Sequence, residues 1–73
     1  MTEKVFLMKI CKRIKELRVA KGISQQELAA EIEYEKSNMS RLESGRVNPK
    51  IATLYKVAKA LGISVSDIVE VDK

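Results

Sequence analysis

The chain has 73 residues, 45% hydrophobic and 33% charged, with three glycines, one proline, one cysteine and no histidine. That balance describes one small folded domain, 1–73, and excludes disorder and collagen-like structure; a core this size buries only roughly 60% of the unfolded surface, too little to enclose a large cofactor. Fourteen Lys and Arg against ten Asp and Glu give a net charge of +4, concentrated in residues 1–24 with seven cations and two anions, and such basic surface favours a polyanionic partner.

The longest apolar run, Val5-Phe6-Leu7-Met8, is far short of the roughly 20 residues that span a bilayer. No small-residue cleavage site follows it, so neither a membrane partner nor a signal peptide is expected. A lone Cys11 forms no internal disulfide and suits the reducing cytoplasm. With one cysteine and no histidine, no zinc or other metal site is expected, and no cofactor.

In chain order, Ile10, Ile14 and Leu17 recur at spacings of four and three, with Cys11 and Arg18 beside them, and predict a helix over about 8–21. Its opposite face carries Lys9, Lys12, Arg13, Lys15 and Glu16. Val5 to Met8 fit either an early helical turn or a short extended arm, so residues 1–7 are a candidate N-terminal arm. Gly22 then supplies a left-handed helix end, as Gly45 and Gly62 do further on. Ser24 caps a second helix over 24–32, with Glu27 completing a capping box and Ile23 and Leu28 at the staple positions.

Only Glu33-Tyr34-Glu35 separates this helix from a third, predicted over 36–44. Asn48 and Pro49 read as the cap and first position of a fourth helix over 49–61, burying Ile51, Leu54, Tyr55, Ala58 and Leu61. Ser64 and Asp67 repeat the capping box, with a shorter acidic partner, ahead of a fifth helix over 65–70. No stretch of four or more residues alternates convincingly with period two, so the expected fold is all-α, a compact five-helix domain.

Two short helices joined by so short a turn make a helix-turn-helix over about 24–44. On the third helix, Met39 and Leu42 fall together and face the core. The opposite side collects Lys36, Ser37, Ser40, Arg41 and Ser44, with Asn38 on the flank. Small hydroxyls let a helix sit close to base edges in a major groove. Arg41 can fork onto guanine O6 and N7, a contact worth about 1–3 kcal/mol of discrimination. The same residue types also occur on any solvated helix face, and it is the turn-helix setting that points to DNA.

The run Ser24-Gln25-Gln26-Glu27-Leu28-Ala29, followed by Ser37-Asn38-Met39-Ser40-Arg41-Leu42-Glu43-Ser44-Gly45, resembles the lambdoid phage repressor and Cro type of helix-turn-helix, the XRE family. Asn48-Pro49 and the segment from Leu54 to Ile63 continue the resemblance, which covers Ile10 to Val69. It implies a lambda repressor-like DNA-binding domain, usually dimeric, that reads an inverted repeat in double-stranded DNA. It further implies that Gln25, with Gln26 beside it, meets the phosphate backbone and supports base readout. Lys36, Ser37 and Arg41 match base-contacting positions, with Ser40 between them, and Arg46, Asn48 and Lys50 match a phosphate-gripping loop. Arg18 and Glu43 match a structural ion pair tying the first helix to the third. Glu33 departs from the pattern, standing where the family favours glycine.

The sequence offers no Gly-rich phosphate loop, and its carboxylates lie mostly on exposed helix faces, so an enzyme is not expected. The leading expectation is a dimeric transcriptional regulator, a repressor or a restriction–modification controller-like protein, with Arg46, Lys50 and helix-one cations such as Arg13 neutralising phosphates. The competing one is a protein-interaction module such as an antitoxin or coactivator on the same fold. Ile63, Val65, Ile68, Val69 and Val71 exceed what a short fifth helix can bury and are the expected homodimer interface. No small-molecule effector is expected in a domain of this size.

Overall fold

The computed structural model describes residues 1–71. They form five helices and, among the described residues, no strand: α1 Glu3–Ala20, α2 Gln25–Glu31, α3 Lys36–Glu43, α4 Ile51–Leu61 and α5 Val65–Val69. None is long and apolar enough to cross a membrane. α1 packs on α3, α4 and α5, while α2 is held between α3 and α4. Ile10, Cys11 and Ile14 from α1 meet Leu28, Met39, Leu42, Val57, Leu61 and Ile68 in one continuous core.

α1 begins well before the predicted start, and residues 3–7 supply its first turns in place of an arm. Thr2 caps it, its Oγ1 accepting from Val5 N at 3.2 Å, and Phe6 N bonds Thr2 O at 3.0 Å. Phe6 and Leu7 pack against the core, so the apolar stripe of Ile10 and Ile14 continues toward the N-terminus at helical spacing. Arg13 also makes a contact across the fold: its Nε donates to Asp67 O at 3.0 Å, which ties α1 to α5.

The fourth helix starts two residues later than Asn48-Pro49 suggests. Thr53 N and Leu54 N both close on Lys50 O, at 3.0 and 3.1 Å, making Lys50 the N-cap with no side-chain bond. Asn48 and Pro49 belong to the preceding loop. The buried face of α4 is Leu54, Val57, Ala58 and Leu61. Ile51 and Tyr55 lie one strip to the side and are 71% and 59% exposed, so the expectation that they are core residues is overturned. On α5 the correction runs the other way. Ile68 is fully buried, because α5 docks against both α1 and α4, and Ile63, Val65, Val69 and Val71 are half-buried against the same core. Ile68 therefore leaves the set of residues available to a partner.

The first four helices end alike, with two backbone bonds that turn the chain through a left-handed residue. At Gly62 (φ 69°), Ile63 N reaches Ala58 O at 2.9 Å and Gly62 N reaches Lys59 O at 3.2 Å. At the end of α2 the same bonds run from Tyr34 N to Ala29 O at 2.7 Å and from Glu33 N to Ala30 O at 3.2 Å. There the left-handed residue is Glu33, φ 56°, and a side chain in that region costs about 1–2 kcal/mol. Glu33→Gly is expected to raise stability by about 1 kcal/mol. Gly62→Ala, with nothing within 4 Å of the added carbon, is expected to lower it by about 1 kcal/mol through backbone strain alone. Urea unfolding midpoints check both.

Both capping boxes close. Ser24 N donates to Glu27 Oε1 at 2.9 Å and Glu27 N to Ser24 Oγ at 3.0 Å; Ser64 and Asp67 repeat this at 3.0 and 3.2 Å. The backbone N–H of each serine, followed by its hydroxyl bond, holds the Glu27 and Asp67 carboxyls below their ordinary pKa values. Groups depressed on folding add stability that is complete above the unfolded carboxylate range, about pH 4, and is lost as pH falls through the lower folded values. The double variant Glu27→Gln/Asp67→Asn is expected to lose less stability than the wild type between about pH 5 and pH 2, read from urea midpoints along that series.

Candidate nucleic-acid interface

α3 carries one buried and one open face. Met39 and Leu42 are fully buried, whereas Lys36, Ser37, Ser40, Arg41 and Ser44 are exposed and Asn38 is half-buried on the flank. The Ser44 hydroxyl donates to Arg41 O at 2.9 Å and closes the helix end. At the other end Glu35 is the N-cap but makes no side-chain bond. The first-turn N–H groups of α3 therefore lack a side-chain acceptor, and they carry the positive end of the helix dipole.

A charged lock fixes how α3 is rotated. Arg18 Nε and Nη2 donate to the two oxygens of Glu43 at 2.7 and 3.1 Å, and Nη1 donates to Ile23 O at 2.6 Å. Both residues are buried. Gln25, at the first position of α2, donates through Nε2 to Glu43 Oε1 at 3.0 Å. One carboxylate thus joins α1, α2 and α3. Gln25 is half-buried as a result, and Gln26 is exposed beside it.

The segment after α3 carries Arg46, Asn48 and Lys50, all exposed. Val47 O within it accepts a long contact from Cys11 Sγ at 3.8 Å, and burial pushes that thiol's pKa up. Among the described residues no ion pair engages Lys36, Arg41, Arg46 or Lys50, and Arg18 with Glu43 is the one salt bridge. No cluster of His, Cys, Asp and Glu suited to a metal occurs among the described residues. Glu33 and Glu35 are exposed at the turn before α3; the positive φ at Glu33 was the one feature of this turn that the missing glycine signalled.

A short helix pinned beneath a second, with an open Ser/Lys/Arg face and a cationic loop beyond it, defines a helix-turn-helix nucleic-acid-binding domain. Residues 14–68 match the family model described as helix-turn-helix, and the chain belongs to that family, the XRE type of DNA-binding transcriptional regulator. It is 38% identical over 63 residues to the HTH-type transcriptional regulator DdrOP3 of Deinococcus deserti, covering 86% of this chain and 49% of that protein. It is 40% identical over 62 residues to the immunity repressor protein of Bacillus phage phi105, covering 85% and 43%. The chain thus spans about half the length of these two relatives. Among solved structures, the restriction-modification controller protein C.AhdI from Aeromonas hydrophila superposes with a TM-score of 0.82 at 35% identity, covering 85% of this chain and 94% of that one.

Arg18→Met leaves Glu43 buried without its charge partner and is expected to cost about 3–5 kcal/mol. The double change Arg18→Met/Glu43→Leu should recover much of that loss, since apolar replacement of a buried pair is often neutral. A double-mutant cycle by urea unfolding measures the coupling.

Proposed function

We propose that the chain is a sequence-specific double-stranded DNA-binding regulator of transcription that acts as a homodimer on an inverted repeat. Repression or restriction–modification control is the kind of role it serves. The open face of α3 carries this reading: Lys36, Ser37, Ser40 and Arg41 are exposed on a helix whose rotation the Arg18–Glu43 lock fixes. Arg41 reads a guanine edge, the serines allow close approach, and Lys36 and Asn38 contact the base edges or the flanking backbone. Gln26, Arg46, Asn48 and Lys50 position the domain on phosphates without reading sequence, while Gln25 meets the backbone and supports base readout.

The exposed strip of Ile51 and Tyr55, with the half-buried Ile63 and Val65 beside it, supports pairing of two copies. Tyr55, Ile63 and Val65 border one shallow hollow. The set differs from the one expected around α5, because α4 supplies its most exposed members. Two α3 helices about 34 Å apart would then enter successive major grooves. A buried, unpaired Cys11 fits the reducing cytoplasm, and the reading is of a binding protein rather than an enzyme.

Selection from random duplex DNA, followed by fluorescence anisotropy, is expected to yield a palindrome. Arg41→Ala should lose about 1–3 kcal/mol per half-site on that sequence, and Lys50→Ala should weaken all duplexes alike. Sedimentation velocity should find two protomers per duplex. Weak binding with no enriched sequence, equal for wild type and Arg41→Ala, would sink the reading.

A further inference from the structure

The first turns of α1 contribute nothing to the interface described above. They precede residues 14–68, the part that the helix-turn-helix model matches, yet they stand beside the C-terminal end of α3. Val5, Met8, Lys9 and Lys12 line an open hollow together with Glu43 and Ser44. Met8 lies over the helix end so closely that a Cβ placed on Gly45 would sit 3.4 Å from Met8 Cγ. One turn further along α1, Cys11 touches Val47 of the cationic loop. The start of α1 therefore runs along the end of α3 and the segment bearing Arg46, Asn48 and Lys50.

The hollow's chemistry is that of a backbone contact. Lys9 and Lys12 are exposed, and among the described residues neither makes an ion pair. The one acid in the hollow, Glu43, has both oxygens engaged by Arg18 and Gln25. Three residues apart on a helix, the two lysines rise from Cβ atoms about 5–6 Å from each other, and their long stems carry point charges suited to phosphate. Val5 and Met8 are 43% and 50% exposed, giving an apolar floor against which a sugar can lie. Arg13, by contrast, is turned to α5.

We propose that Lys9 and Lys12 form a second phosphate clamp. It would continue the grip of the loop after α3 along the sugar–phosphate backbone, outside the bases that α3 reads, with Val5 and Met8 against deoxyribose. The proposal rests on the DNA-binding reading above. Such contacts add affinity and salt dependence but no sequence preference.

The test is anisotropy on the selected duplex and on a scrambled one across a series of salt concentrations. It compares wild type, Lys9→Ala/Lys12→Ala, Arg41→Ala and Lys56→Ala, the last removing an exposed cation from a separate hollow shared with Glu31 and Glu33. The double variant is expected to bind both duplexes roughly tenfold more weakly at low salt, and to flatten the slope of log K against log salt by about 1.8, or about 0.9 per phosphate lost. Lys56→Ala should leave the slope unchanged. If the double variant keeps wild-type affinity and slope while Arg41→Ala loses its sequence preference, the clamp is overturned and the DNA reading stands. A wild-type protein that binds neither duplex overturns both. Circular dichroism melts confirm that the exposed lysines can be removed without unfolding the domain.

Discussion

The structure turns on one carboxylate. Glu43 sits at the end of α3, accepts two bonds from Arg18 of α1 and one from Gln25 of α2, and has almost no contact with water. Burying two opposite charges is costly, and an apolar pair of the same shape often does as well for stability. What an apolar pair lacks is direction. The planar guanidinium meets the carboxylate through two roughly parallel bonds, so α3 has one preferred rotation about its axis. With Glu43 held inward, Met39 and Leu42 are seated in the core and the Lys36, Ser37, Ser40 and Arg41 side faces out. Recognition chemistry at the surface is thereby set by a bond in the interior.

Around that lock the domain is built from helices of 5 to 18 residues, most of them too short to be stable alone. A chain of this size buries little apolar surface, so helix caps worth about 1 kcal/mol each matter to its stability. Serine or threonine boxes and caps start α1, α2 and α5, and left-handed residues stop α1 to α4. The two helices without a side-chain cap are α3 and α4. For α3 the omission leaves its amide-rich end open beside Lys36 and Ser37, on the face proposed to meet DNA.

What could be read from sequence was what is decided locally. Ser24 with Glu27, the glycines past the helix ends and the Met39–Leu42 spacing each depend on a few neighbouring residues, and the five helices follow from them. Longer-range packing decided the rest. The start of α1 was ambiguous because Val5 to Met8 is apolar all round, and only docking of Phe6 and Leu7 on the core selects helix over arm. Asn48-Pro49 carries a strong local start signal that the path of the loop overrides. Ile51 and Tyr55 share helical spacing with Leu54 and Ala58, but that stripe is wider than the face α4 buries. Arg13 looked like any helix-one cation until α5 folded its Asp67 carbonyl against it. At the interface, residue types were legible on α3, whereas the role of α1 beside it depends on which helix the chain lays next to which.

Cys11 gives the molecule an internal gauge. Its sulfur is enclosed by the core, its thiol is disfavoured from ionising, and its contact is the backbone of Val47 in the loop that follows α3. A thiolate-seeking reagent reaches it only when the surrounding core opens, so its rate of capture counts local openings rather than the intrinsic chemistry of the sulfur. A duplex gripping Arg46 and Lys50 would hold the loop closed and slow that capture. The protein thus carries, at a position that makes no proposed contact with DNA, a native chemical reporter of core opening next to the loop that does.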